Sequence, residues 1–228
     1  MRKKINKKAT KTLGADQGMK TVLTLSDHQV TPLTDDHGHS LESIIDKMRV
    51  KKKGSKAFGK LQDHRTNFIN WSINKLNFKH IKTLKLEDVN HLRYKTSYSR
   101  KMSHWVYTDI RDKVASRCEL EDVLLVPNES TYMSQRCHVC GLVLKSNRKG
   151  KVYSCKNCGY EGDSDYNSSC NHQLDLPDIS DLRSLRLNIK GFFWKLTGVY
   201  SLEGEELSVP LSKKLGKPVL IKDEALWA

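Results

Sequence analysis

Four of the six cysteines form two matched pairs, Cys137-x-x-Cys140 and Cys155-x-x-Cys158, with 14 residues between the pairs. Two such knuckles bring four thiolates to the corners of a tetrahedron, which suits Zn²⁺ at Zn–S distances of about 2.3 Å. Gly141 and Gly159 directly follow the second cysteine of each pair, where the knuckle backbone needs a dihedral that glycine adopts without strain. A zinc held by four sulfurs has no open coordination position, so it is expected to be structural. Such a site contributes on the order of 10–16 kcal/mol of apparent binding energy to a small fold. The alternatives are two disulfides, which suit an oxidising compartment, and a redox pair, which needs only one motif. Cys118 and Cys170 lack partner spacing and read as small buried hydrophobes. His138, inside the first knuckle, reads as a surface residue.

Hydrolytic chemistry must therefore come from other side chains. Asp16 lies in Gly14-Ala15-Asp16-Gln17-Gly18, read as a turn just before the first strand. Glu87 ends a strand about 70 residues later, and Asp165 lies seven residues past Cys158. Carboxylates from separate elements can hold two Mg²⁺ or Mn²⁺ ions, one activating water and the other stabilising the leaving oxygen of a phosphodiester. Glycines around Asp16 would let a phosphate backbone approach closely. Asp163 shares the parity of Asp165 and is an auxiliary or competing acid, while Asp88 points to the face opposite Glu87. Each acid alone has an ordinary explanation as a turn residue, a strand end or a helix cap.

Charge narrows the partner. The net charge is +14 over 228 residues. From His172 onward, 8 basic and 8 acidic residues cancel, so residues 1–171 carry the whole surplus. A surplus of this size attracts a polyanion, and each neutralised phosphate releases counterions. The grip is expected from Lys3 to Lys11 and from the second cluster, Lys51, Lys52, Lys53, Lys56, Lys60 and Arg65. No apolar run reaches the roughly 18 residues of a membrane span. The basic N-terminus lacks the apolar stretch of a secretory signal, which implies a reducing, cytoplasmic setting.

These side chains have to be positioned by regular elements. Thr21 to Leu25 reads as a strand with Gln29 to Leu33 as its hairpin partner. Ser40 is the expected N-cap of a helix carrying Leu41, Ile44, Ile45 and Met48. A second helix places Phe58, Leu61, Phe68, Ile69, Ile73 and Leu76 on one face. Ile81 to Leu86 reads as a strand and roughly Ser103 to Cys118 as a helix. Val123 to Val126 reads as a buried strand stopped by Pro127. Beyond His172 only one weak helical stretch, near Asp181 to Lys195, stands out. Strands alternating with helices imply an α/β fold, a mixed sheet flanked by helices.

Taken in order, these motifs resemble the TnpB family, transposon-encoded relatives of compact type V CRISPR effectors. Leu13 to Gly18 with Ser26-Asp27 is similar to the first RuvC motif of that family. Arg49 through Lys56 and Lys60 through Asn74 resemble its basic helical pair, and Leu84 to Val89 its second motif. Trp105, Val123 to Pro127 and Ser134 to Gly141 resemble the approach to its zinc ribbon. Cys155 to Asn171 resembles the ribbon's end and third motif, with Asn167-Ser168-Ser169 where the family usually has Asn-Ala-Ala. The resemblance covers about residues 12–171. It implies an RNase H-like (RuvC) core with an inserted zinc ribbon, with Asp16, Glu87 and Asp165 as the metal-binding catalytic acids. The short tether from Cys158 would let the ribbon fix Asp165. It also implies domains at 12–130 (nuclease core with a helical insertion around 41–78), 131–162 (ribbon) and 163–171 (third motif), with 1–11 a basic tail and 172–228 an extension. Relatives hold guide RNA in a long N-terminal lobe, whereas little sequence precedes Asp16.

The expected function is a Mg²⁺-dependent DNA endonuclease of the RuvC type. It would be TnpB-like or specific for branched DNA such as a Holliday junction, where paired nicks favour a homodimer. A second expectation is a non-catalytic nucleic-acid-binding regulator derived from such a nuclease. A third is a guide-RNA-dependent nuclease that needs a separate partner.

Overall fold

A computed structural model describes residues 9–89, 107–179, 182, 185–208 and 219–221. Lys3, Lys4, Lys7, Lys8, Trp105 and Pro210 lie outside the described residues. The chain divides into two compact units, Met1–Glu129 and Ser130–Ala228.

In the first unit the strands β1 (Lys11–Gln17), β2 (Leu23–Leu25), β3 (Ile81–Asp88) and β4 (Leu124–Glu129) form a sheet in the order β2-β1-β3-β4. β2 runs antiparallel to β1, whereas β1–β3 and β3–β4 are parallel. Parallel neighbours need long crossovers. The first crossover contains helices α1 (Leu41–Arg49) and α2 (Lys56–Asn74), and the second contains α3 (Tyr107–Leu120). The unit is thus mixed α/β, as its alternating pattern implied.

Asp16 departs from expectation: it lies inside β1 rather than in a turn before the first strand. The expected strand Thr21–Leu25 shortens to Leu23–Leu25. Its hairpin partner reduces to the bridge Thr24↔Val30, with Thr31 Oγ1 accepting from the Leu23 N–H at 3.0 Å. β4 also differs. It continues through Pro127 to Glu129, Leu124 is 63% exposed, and β4 has one strand neighbour among the described residues. An edge strand tolerates a proline because only one of its sides must supply ladder donors.

Local chemistry sets both helix starts. The Ser43 N–H donates to Ser40 Oγ and the Ser40 N–H to Ser43 Oγ, each at 3.0 Å, a reciprocal cap. Ser55 Oγ accepts from the Phe58 N–H at 3.2 Å and starts α2. The expected apolar faces are buried: Leu41, Ile44, Ile45 and Met48 of α1 join Phe68, Ile69 and Ile73 of α2. Leu13, Ala15, Leu84 and Leu86 supply the sheet's share of that core, and Cys118 lies in it as a small hydrophobe.

The second unit contains the ribbon. β6 (Arg148–Lys149), β7 (Val152–Ser154) and β8 (Glu161–Asp163) form an antiparallel sheet that leads directly into α4 (Ser164–Gln173). The region after His172 corrects the helical expectation: a short 3₁₀ turn at Leu187–Ile189 is followed by β9 (Phe192–Lys195), β10 (Gly198–Tyr200), β11 (Glu206–Ser208) and β12 (Val219–Ile221). β9 pairs with β5 (Leu142–Val143) of the first knuckle, so the ribbon and the extension share one sheet. Trp194 and Phe192 alternate with Phe193 and Lys195 along β9, and the first two are buried. That is a strand's period of two, which the neighbouring leucines obscure.

Candidate functional site

The two cysteine knuckles have the same backbone. Gly141 N–H donates to Cys137 O at 2.9 Å and Gly159 N–H to Cys155 O at 3.1 Å. Cys137 N–H donates to Leu142 O and Cys155 N–H to Tyr160 O, both at 2.8 Å. Gly141 and Gly159 have φ of 81° and 72°, as expected, and a Cβ at Gly141 would meet Trp194 O at 2.8 Å. The four Sγ atoms lie within 4.8 Å of one another, with Cys137–Cys158 at 3.7 Å and Cys140–Cys155 at 3.6 Å. Tetrahedral Zn–S bonds of about 2.3 Å require edges of about 3.8 Å, so the donors fit zinc. Burial pushes the Cys137 and Cys155 thiols up, and a bound dication is what keeps such crowded sulfurs ionised.

Arg136 is placed to answer the charge such an ion would leave. Four thiolates on one dication would carry two negative charges, and the guanidinium lies beside Cys137 and Cys140. Burial brings it down to about 10, still cationic at neutral pH. Its Nε donates to Trp194 O at 2.8 Å and its Nη1 to Asn171 Oδ1 at 2.6 Å.

Helix α4 carries Asp165 and is fastened to the first knuckle by two asparagines one turn apart. Asn167 Nδ2 donates to Arg136 O at 2.8 Å, and its Oδ1 accepts from the His138 N–H at 3.1 Å. Asn171 Nδ2 donates to Met133 O at 2.8 Å and Arg136 O at 2.6 Å. His138 is no mere surface residue: its ring sits edge-on to Tyr160, 4.5 Å between centroids. Asp163 is the N-cap of α4, its Oδ1 accepting from the Asp165 and Tyr166 N–H groups at 2.9 Å each. Asp165 is 5% exposed. Its Oδ2 is ion-paired with Lys151, and Arg148 Nη2 stands 3.9 Å from its Oδ1. Arg148 comes from β6 and Lys151 from the turn joining β6 to β7. Arg136, Asn171 and the Lys151 pair were not singled out from sequence. The signals available were an arginine abutting a zinc ligand and asparagines at i and i+4.

In the first unit, Leu13, Gly14 and Ala15 pair with Leu84, Lys85 and Leu86. One step further the register sets Asp16 beside Glu87. Their carboxylate oxygens lie within 4.8 Å of each other, on the sheet face opposite Leu13, Ala15, Leu84 and Leu86. Gln17 Nε2 donates to Glu87 O at 2.9 Å and fixes the strand ends. Ser26 clamps Gly14, accepting from its N–H at its Oγ and donating its own N–H to Gly14 O, both at 3.0 Å. A cleft of about 270 Å³ beside Glu87 is lined by Leu86, Asp88, Arg111, Leu125 and Pro127. Two hard oxygen donors this close fit a divalent cation such as Mg²⁺ or Mn²⁺.

Lys51, Lys52, Lys53, Lys56 and Lys60 are all exposed. Arg65 corrects the expectation of a phosphate contact. It is 7% exposed and its Nη2 reaches Asp109 Oδ2 at 3.4 Å, so its charge links α2 to α3. No helix among the described residues is long and apolar enough to cross a membrane.

A mixed α/β core followed by a four-cysteine ribbon of zinc-binding geometry defines the class. Residues 107–172 match the Cas12f1-like TNB domain family. The chain is 32% identical over 101 residues to a CRISPR-associated endodeoxyribonuclease Cas12f1 of Sulfoacidibacillus thermotolerans, a match covering 44% of this chain and 23% of that protein. It is 35% identical over 66 residues to the Cas12f1 of Syntrophomonas palmitatica, covering 28% and 13%. The matched segments thus span less than a quarter of either relative. Among solved structures, that of a Cas12f1–sgRNA–target DNA complex aligns with a TM-score of 0.52 at 18% identity, covering 72% of this chain and 50% of that one. The resemblance to compact type V and TnpB-like effectors therefore holds.

Proposed function

We propose that the chain supplies the catalytic part of a metal-dependent DNA endonuclease of the RuvC type, on an RNase H-like core, with Asp16, Glu87 and Asp165 as the metal-holding carboxylates. The carrying observation is the Asp16–Glu87 pair on neighbouring parallel strands, with carboxylate oxygens within 4.8 Å. The name carried by the curated relatives, endodeoxyribonuclease, supports DNA as substrate.

Bound divalent ions would supply water activation and leaving-group stabilisation. The chain's own residues do the placing. Gln17 and Ser26 hold the strand ends so that two carboxylates face the same way, which removes a reorganisation cost from the reaction. Asp163 caps α4 and so sets where Asp165 stands. The zinc ribbon fixes α4 through Arg136, Asn167 and Asn171, a supporting role rather than a chemical one. The exposed lysines between α1 and α2 draw in phosphates.

The test is cleavage of single-stranded, linear duplex and four-way-junction DNA with Mg²⁺, with and without co-purified RNA. Wild type should cut, while Asp16→Ala, Glu87→Ala and Asp165→Ala should fall to background with DNA affinity retained. RNA-dependent cutting is the mode that the relatives' CRISPR association and the sgRNA in the aligned complex favour. Selective junction cutting would instead make the chain a resolvase acting as a homodimer. A second reading, a non-catalytic nucleic-acid-binding regulator, is favoured by the Lys151 and Arg148 contacts that occupy Asp165. Binding without cleavage on every substrate, by wild type and by Lys151→Ala, would select it.

A further inference from the structure

Asp35, His39 and His64 form a cluster that belongs neither to the carboxylate pair nor to the ribbon. Their ligand atoms lie within 4.8 Å of one another. Asp35 Oδ2 stands 3.4 Å from His39 Nδ1 and 3.7 Å from His64 Nε2. The two imidazoles meet edge to face, with centroids 4.8 Å apart and planes at 87°.

Both Asp35–histidine distances are longer than the roughly 2.7–3.2 Å of a good nitrogen–oxygen hydrogen bond: the His39 contact is a stretched ion pair and the His64 contact lies beyond hydrogen-bond reach. The shorter equals the tetrahedral edge of about 3.3–3.4 Å that metal–ligand bonds of about 2.0–2.1 Å to nitrogen and oxygen set, and the longer exceeds it by about 0.3 Å, which a bound ion would draw in. His39 Nδ1 is buried yet makes no hydrogen bond among the described residues. The carboxylate is also prepared for the task. Asp35 Oδ1 accepts from the His37 N–H at 2.9 Å and the His39 N–H at 2.8 Å, which turns Oδ2 toward the imidazoles. The turn is closed by Asp35 N–H to His39 O at 2.8 Å and Gly38 N–H to Asp35 O at 3.0 Å. His39 directly precedes the N-cap of α1, and His64 sits within α2. A hydrogen-bonded turn thus holds Asp35 and His39 and a helix holds His64, and all three are partly open to solvent: the side chains of His39, His64 and Asp35 are 35%, 33% and 18% exposed.

We infer that Asp35, His39 and His64 form a second metal site, selective for a late first-row divalent cation such as Zn²⁺ or Co²⁺. Two imidazoles and one carboxylate are donors of that class, and three protein ligands leave a position for water. A bound ion cross-links the loop before α1 to α2.

The test uses the full chain with its ribbon zinc retained and with excess Mg²⁺ to fill the Asp16–Glu87 pair, titrated with Co²⁺. Wild type should take up one equivalent with visible d–d bands and no thiolate charge-transfer absorption, which separates this site from the cysteines. His39→Asn and His64→Gln should each weaken that uptake by at least about tenfold, with unchanged circular dichroism in the absence of cobalt. His37→Asn, whose exposed ring lies 6.4 Å from that of His39, should leave uptake intact. Absence of the d–d bands in wild type overturns the assignment, whatever the variants do. So does uptake that survives both substitutions or is lost with His37→Asn instead.

Discussion

Arg65 and the lysines before it carry the same charge and do different work. Truncating Arg65 removes the buried guanidinium that pairs with Asp109 and leaves only Thr66 Oγ1, at 3.5 Å, and solvent to serve that carboxylate. Arg65→Ala should therefore lower the unfolding free energy by about 1–3 kcal/mol, read from a urea midpoint, with no change in the salt dependence of DNA binding. Lys51→Ala, Lys52→Ala and Lys53→Ala should do the reverse. Each leaves the midpoint alone and reduces the slope of log K against log salt by about one. His172 adds a pH dependence. Burial pushes its imidazole down to about 3, so it stays neutral in the fold while the unfolded chain takes up a proton near its ordinary value of 6.5. Stability is full above about pH 6.5 and falls as the pH drops toward 3, by up to about 1.4 kcal/mol for each pH unit. Denaturant midpoints at pH 7.5 and 5 should show this loss, and His172→Asn should flatten it.

At the scale of elements, the helices were the easiest to read because their faces are written locally. Leu41, Ile44, Ile45 and Met48 follow one stripe, and Ser40 marks its start, whereas the Ser55 cap of α2 shows only in the structure. The strand β1 was hidden because Gly14, Ala15 and Asp16 look like a turn. Its strand state comes from β3, some 70 residues away, and from Ser26 clamping Gly14. β9 was hidden for a similar reason, since its pairing with Leu142 and Val143 is invisible until the knuckle exists. The acids were chosen by type and order, but their surroundings were not legible. Nothing local says that Lys151 reaches Asp165 or that Asn171 carries three hydrogen bonds with main-chain and guanidinium partners. Helix α4 gives the test. Asn171→Ala should cost about 2–3 kcal/mol, because buried carbonyls lose their donors. Asp163→Ala should cost only about 1 kcal/mol as a lost cap. Nuclease rates measured for both would show whether position or mere stability matters at Asp165.

The whole chain should unfold in two stages. The core from Leu13 to Val123 lies entirely in the first unit, while Tyr153, Leu142, Cys137 and Cys155 form a small core of their own around the four sulfurs. A strong zinc chelator should therefore abolish amide protection in residues 137–163 while α1, α2 and β3 keep theirs, measured by hydrogen exchange.

The four sulfurs are not equally sheltered. Cys137 and Cys155 are buried, Cys140 is half-buried, and Cys158 is exposed. Exchange of a bound ion would begin where a sulfur can be reached, so the rate at which the ribbon would give up or trade zinc is set at Cys158 rather than shared among four. Under slow alkylation with iodoacetamide, peptide mass spectrometry should find Cys158 modified first. The three other sulfurs should follow together once that first bond has opened.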